Sequence, residues 1–125
     1  MLIEGASGAG KSDLALRLID RGATLVSDDY TLLTRAGDAL IAAAPDTIAG
    51  KLEVRGLGIL SVAHRDKVRV ALAVRLTDSP ERMPPGGETR RIAGIAIPEV
   101  GIDPRSASAP IKVELALAHV AGSPA

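Results

Sequence analysis

The chain has 125 residues, with 15 basic and 15 acidic side chains, one Tyr, and no Cys, Trp or Phe. Zero formal net charge leaves no field for steering nucleic acid or an anionic membrane, and a single aromatic residue leaves no stacking platform for single strands. Without Cys there is no disulfide framework, thiolate metal site or Cys nucleophile.

Residues 1–4 form a short apolar stub that runs into a glycine loop. Residues 11–21 predict a helix: Leu14, Leu18 and Ile19 recur at helical spacing, Asp13 sits in the first turn, and Gly22 marks the stop. Residues 23–27 predict a short buried strand that delivers Asp28 and Asp29 at its end. TLLTR and DALIAA around Ala36-Gly37 predict a hairpin, and residues 45–51 a loop. Residues 52–62 carry strand-like stretches interrupted by Gly56 and Gly58. Residues 67–76 alternate, with Val68, Val70, Leu72, Val74 and Leu76 on one face, and predict one continuous strand. Residues 78–91 hold three Pro and two Gly among charges and read as an exposed loop, with Arg90 and Arg91 solvated. RIAGIAIPEVGI predicts a strand or strand pair, and residues 106–121 a last helix with Ser108 as N-cap and Pro110 in the first turn. The organisation expected is one domain over residues 1–121 with a flexible tail at 122–125. The longest apolar runs are too short to span a bilayer, and the start lacks the pattern of a signal peptide. A core built from Ala, Leu, Ile and Val without large aromatics is thin for its hydrophobic percentage, which argues for further burial in an oligomer.

The strongest motif is Gly5-Ala6-Ser7-Gly8-Ala9-Gly10-Lys11-Ser12, which fits G-x-x-x-x-G-K-[ST] between an apolar stub and a helix. Glycines at these places let backbone N–H groups wrap a phosphate, Lys11 supplies a point charge for the terminal phosphates, and the Ser12 hydroxyl suits Mg²⁺. The reading is a nucleoside triphosphate site with Mg²⁺. Only four residues precede Gly5, so the chain is read as starting partway through its first strand.

Asp28 and Asp29, at the end of a strand next to such a loop, suit a pair in which one carboxylate binds Mg²⁺ and the other takes the proton of an attacking hydroxyl. Period-2 alternation puts Glu53 and Arg55 on one face, opposite Val54. Phosphoryl transfer needs cations on the moving group, and Arg55, Arg82 and Arg105 are the candidates. His64 and His119 lie far apart in sequence, without metal-ligand spacing, and read as structural.

GASGAGKSDLALRLIDRGATLVSDD followed by LEVRGLGILSV closely resembles the catalytic domain of bacterial HPr kinase/phosphorylase, over roughly residues 1–105, in the short form of alphaproteobacteria. The resemblance implies an α/β fold: a P-loop-containing mixed β-sheet with flanking helices, related to phosphoenolpyruvate carboxykinase. It implies a cytoplasmic, hexameric enzyme that uses ATP and Mg²⁺ to phosphorylate a serine of the phosphocarrier HPr, in regulation of the sugar phosphotransferase system. Residues Gly5 to Ser12 then hold ATP, Lys11 contacts the phosphates, and Ser12 and Glu53 take the place of the Mg²⁺ ligands, beside Asp28 as the metal-binding carboxylate of the acidic pair. Asp29 takes the place of the catalytic base, Arg82 that of the catalytic arginine, and Arg55 lies within the family's signature block. Two features depart from the pattern. The family's catalytic His lies upstream of the loop strand, before this chain begins. Where the family carries a P-V-R-P-G-R-N-like loop linked to dephosphorylation, residues 103–109 read DPRSASA, matching at Arg105 only. Two other readings stand beside the kinase: an HPr-binding nucleotide sensor with little turnover, and a P-loop kinase of small molecules.

Overall fold

The computed structural model describes residues 1–6, 8–80 and 88–120. In chain order the described residues form β1 (Leu2–Glu4), α1 (Lys11–Asp20), β2 (Leu32–Ala36), β3 (Ala39–Ala43), β4 (Lys51–Val54), β5 (Gly58–Ser61), β6 (Val68–Arg69), β7 (Ala73–Leu76), β8 (Thr89–Ile92), β9 (Ile95–Ile102) and α2 (Ala109–Val120). They divide into two compact units, one of residues 1–11 with 70–125 and one of residues 12–69.

The first unit is built on a mixed sheet of order β1-β7-β9-β8, in which β1, β7 and β9 run parallel and β8 is antiparallel. As the second strand of that order, β7 buries side chains on both faces: Ala73 and Val74 are both fully buried. Ala93-Gly94, both at positive φ, close the two-residue turn between β8 and β9. Glu4, Arg75, Glu99 and Arg90 share one face by register, and two ion pairs cross it, Arg90–Glu4 and Arg75–Glu99. Ser108 stands immediately before α2, where its carbonyl accepts the Lys112 N–H at 2.9 Å, as an N-cap residue does.

The second unit carries the rest of α1, an antiparallel sheet of order β2-β3-β6, and the β4-β5 hairpin. Leu14 and Leu18, four residues apart, are the buried side chains of α1. The helix stops in a Schellman pair, Ala23 N–H to Leu18 O and Gly22 N–H to Ile19 O, both at 3.0 Å. The β2-β3 hairpin turns on Gly37-Asp38, in the predicted place.

The structure corrects four expectations. Residues 23–27 form no strand: Leu25 makes a single parallel bridge to His64, and the strand beside β1 is β7. Residues 67–76 are two strands in two sheets, β6 beside β3 and β7 between β1 and β9. Burial alternates from Val68 to Leu72 and then stops, because Leu72, Ala73 and Val74 are buried in succession where β7 takes an inner place in its sheet. The loop after residue 78 ends earlier than expected, since β8 begins at Thr89. Arg90 and Arg91 are therefore strand residues, Arg90 paired with Glu4 and Arg91 donating to Gly94 O at 3.1 Å. The last helix begins at Ala109, three residues later than predicted. Ser7, Arg82 and the 122–125 tail lie outside the described residues.

His64 also sets a steric constraint. A Cβ on Gly50 would stand 2.6 Å from His64 Nδ1, and Gly50 is buried with φ +73°. Gly50→Ala is expected to lower unfolding stability by about 1–3 kcal/mol. Denaturant titration checks this. In a His64→Ala background the steric part disappears and the backbone part of the cost remains.

Candidate functional site

Two clusters carry the candidate residues, one in each unit. In the first, β1 ends at Glu4 and the chain enters a loop that reaches α1 at Lys11. Gly8 and Gly10 adopt φ +81° and +100°, a region that side chains with a Cβ rarely occupy. Ala9 N–H bonds Ala6 O at 3.0 Å, which closes a turn inside the loop. Gly5 sits where a Cβ would lie 3.1 Å from Leu76 Cβ and 3.2 Å from Ala9 Cβ, so a side chain there would crowd the loop against β7. The Lys11 ammonium reaches back and donates to Gly5 O at 2.7 Å. A cation is thus folded over the loop at the helix end where the backbone dipole is positive, an arrangement suited to an anion.

The turn after β9 belongs to the same unit. Pro104 lies against Gly10, its Cβ and Cγ 3.5 and 3.6 Å from where a Gly10 Cβ would stand. Arg105 donates to Asp103 three times: Nε to Oδ1 at 3.1 Å, Nη2 to Oδ2 at 3.0 Å, and backbone N–H to Oδ1 at 2.9 Å. The side-chain hydrogen bond from Arg105, and then its backbone N–H, hold the Asp103 carboxyl below the usual carboxylate range. Asp103 raises Arg105 in turn, so the pair is charged and closed at neutral pH. Arg105 was a candidate from the sequence, and its partner Asp103 was not. An Asp two residues before an Arg, across a Pro, was the available signal.

The second cluster centres on Asp28. Ser12 Oγ donates to Asp28 Oδ1 at 2.9 Å, and the Glu53 backbone N–H donates to Asp28 Oδ2 at 2.9 Å. One carboxylate thereby ties the first turn of α1 to β4. Asp29 and the Glu53 side chain are exposed, as is Arg55 in the turn that follows β4. Asp28 owes its place to these two bonds and not to the end of a strand. Sequence reasoning paired Asp28 with Asp29 and did not foresee that a main-chain N–H of the LEVRG segment would hold it.

The donors fit a magnesium ion. Ser12 Oγ and Asp28 Oδ1 are hard oxygens 2.9 Å apart. Adjacent ligands of an octahedral ion with bonds of about 2.0–2.1 Å are separated by about 2.9 Å. Magnesium keeps several waters and takes one or two carboxylates plus substrate phosphates, so a small protein donor set is sufficient.

Comparison with known proteins gives these clusters a family. The HPr Serine kinase C-terminal domain family matches residues 1–119. An HPr kinase/phosphorylase of Azoarcus is 39% identical over 114 residues, 80% of this chain and 36% of that protein. One of Aromatoleum aromaticum is 41% identical over 112 residues, 78% of this chain and 36% of its own. The chain therefore spans about a third of the length of these curated relatives. The solved HPr(Ser) kinase/phosphatase of Coxiella burnetii superposes with a TM-score of 0.79 at 31% identity, over 94% of this chain and 84% of that one. With its sequence matched almost end to end and its α/β fold shared, the chain belongs to the HPr serine kinase C-terminal domain family.

Proposed function

We propose that the chain is a Mg·ATP-dependent protein kinase that transfers the γ-phosphoryl group to a serine of HPr. The observation that carries this reading is the position of Asp28, held at both oxygens by Ser12 and Glu53. In this reading Asp28 serves the cation, and the exposed Asp29 is the group that receives a proton.

In this mechanism residues 5–11 are a P-loop. The backbone N–H groups of Gly5, Ala6, Ser7, Gly8, Ala9 and Gly10 and the start of α1 take the polyphosphate, with the Ala9 N–H leaving Ala6 O and Lys11 leaving the Gly5 carbonyl for phosphate oxygens. Ser12 and Asp28, with the carboxylate of Glu53, would hold the metal, which when bound would neutralise charge building on the phosphate oxygens. Asp29 accepts the proton of the serine hydroxyl as the serine oxygen bonds the γ-phosphorus and the bond to the β-phosphate oxygen breaks. Arg55 and Arg82 supply positive charge to the moving phosphoryl group. The names of the relatives favour a protein kinase over a nucleotide sensor or a small-molecule kinase.

The same reading has HPr as the partner, the cytoplasm as the compartment, and a homo-oligomer, a hexamer by family resemblance, as the working form. Leu57 and Ile59, 73% and 70% exposed on the β4-β5 hairpin, support the oligomer, since so much apolar surface favours burial. No helix among the described residues is long and apolar enough to cross a membrane.

The test is to incubate the chain with γ-labelled ATP, Mg²⁺ and purified HPr. Label is expected on HPr, and chelation of Mg²⁺ is expected to abolish it. Label that stays on ATP, or moves to HPr equally well in chelator, would contradict the reading.

A further inference from the structure

We propose that Asp103 withholds the Arg105 charge from the nucleotide: it grips the guanidinium in a turn seated against the phosphate loop, and by doing so lowers the loop's affinity for polyphosphate. The inference rests on the nucleotide reading above and adds a residue that sets affinity.

Pro104 is packed against Gly10, so the flanking Asp103 and Arg105 stand within one residue of the loop that the mechanism assigns to phosphates. The Ser106 N–H bonds Asp103 O at 3.2 Å and closes the turn, which keeps the three residues together.

A guanidinium binds phosphate best through two parallel N–H bonds from one edge. In Arg105 the Nε/Nη2 edge is already spent on the Asp103 carboxylate at 3.1 and 3.0 Å, and the backbone N–H adds a third bond. The pair also carries no net charge. An arginine beside the proposed phosphate site therefore adds no net positive charge there, although its side chain is 72% exposed and open to solvent.

The consequence is that affinity follows the net charge of the pair. Asp103→Asn can still accept hydrogen bonds through its amide oxygen and so spare the turn, while it leaves the pair at +1. Arg105→Ala leaves it at −1. The double variant Asp103→Asn/Arg105→Ala returns it to zero.

Isothermal titration of Mg·ATP into the wild-type chain and these three variants tests the idea. At low ionic strength Asp103→Asn is expected to bind about threefold more tightly than wild type, and Arg105→Ala about threefold more weakly. The double variant should bind within about twofold of wild type, and the spread between the single variants should shrink as salt is added. A purely structural role for Asp103 would weaken binding in Asp103→Asn and would not respond to salt in this way. Unchanged or weaker binding by folded Asp103→Asn, or wild-type affinity in Arg105→Ala, overturns the proposal while leaving the kinase reading intact. Should Asp103→Asn fail to fold, Arg105→Ala decides alone. Absence of Mg·ATP binding in the wild-type chain overturns the nucleotide reading and this inference with it.

Discussion

Lys11→Ala is expected to reduce phosphoryl transfer to HPr by about a hundredfold or more, with the fold retained. The effect is large because of where the ammonium stands. It donates to Gly5 O at 2.7 Å across its own loop, at the positive end of α1, so an entering phosphate meets a cation already held in place. Once it has exchanged that carbonyl for phosphate it meets the charge that develops on the phosphoryl oxygens, which is why its loss falls on the transition state. The loss of stability should be small, because the bond removed is a single side-chain bond to a loop carbonyl, worth about 1 kcal/mol. Transfer assays on the variant, with its unfolding curve beside the wild type's, separate the two effects.

The second prediction sets the neighbouring aspartates against each other. Asp29→Asn is expected to lower kcat by about 10²–10⁴, with the KM for ATP and the unfolding midpoint nearly unchanged. Asp29 is exposed, and its proposed work is to take the serine proton. Asp28→Ala should behave differently. It strips both the Ser12 hydroxyl and the Glu53 N–H of their acceptor, so the Mg²⁺ concentration needed for half-maximal activity rises. Stability also falls, by about 1–3 kcal/mol, because two donors lose a charged partner. Equal losses of kcat with no change in metal requirement in either variant would contradict this division of labour.

These assignments came from different depths of the molecule. The loop from Gly5 to Ser12 was legible because glycine spacing, Lys and Ser each answer to a local rule, and the turns of the loop are local. The β2-β3 hairpin and α1 were legible for the same reason, since turn and cap residues act over a few positions. The strand order was not. Residues 68–76 carry apolar side chains at every second position, yet the hydrogen-bonding partner changes from β3 to β1 and β9, and nothing in a period-2 pattern names the partner. The strand expected at 23–27 failed on the same point, since that segment pairs only through one bridge, Leu25 to His64. Asp28 was picked out as chemistry, but its support is a backbone N–H 25 residues further along, which no side-chain pattern reveals. The Asp103–Arg105 pair is local, only two residues apart, and was passed over because the Arg alone was weighed for phosphate.

The central claim is that this site moves a phosphoryl group onto a serine of HPr, and mass analysis of HPr tests it most directly. After incubation with the wild-type chain and Mg·ATP, HPr is predicted to gain one phosphoryl group on one serine, and to gain none with Lys11→Ala. HPr left unmodified by a wild-type chain that binds Mg·ATP, or modified at a residue other than serine, would contradict the account.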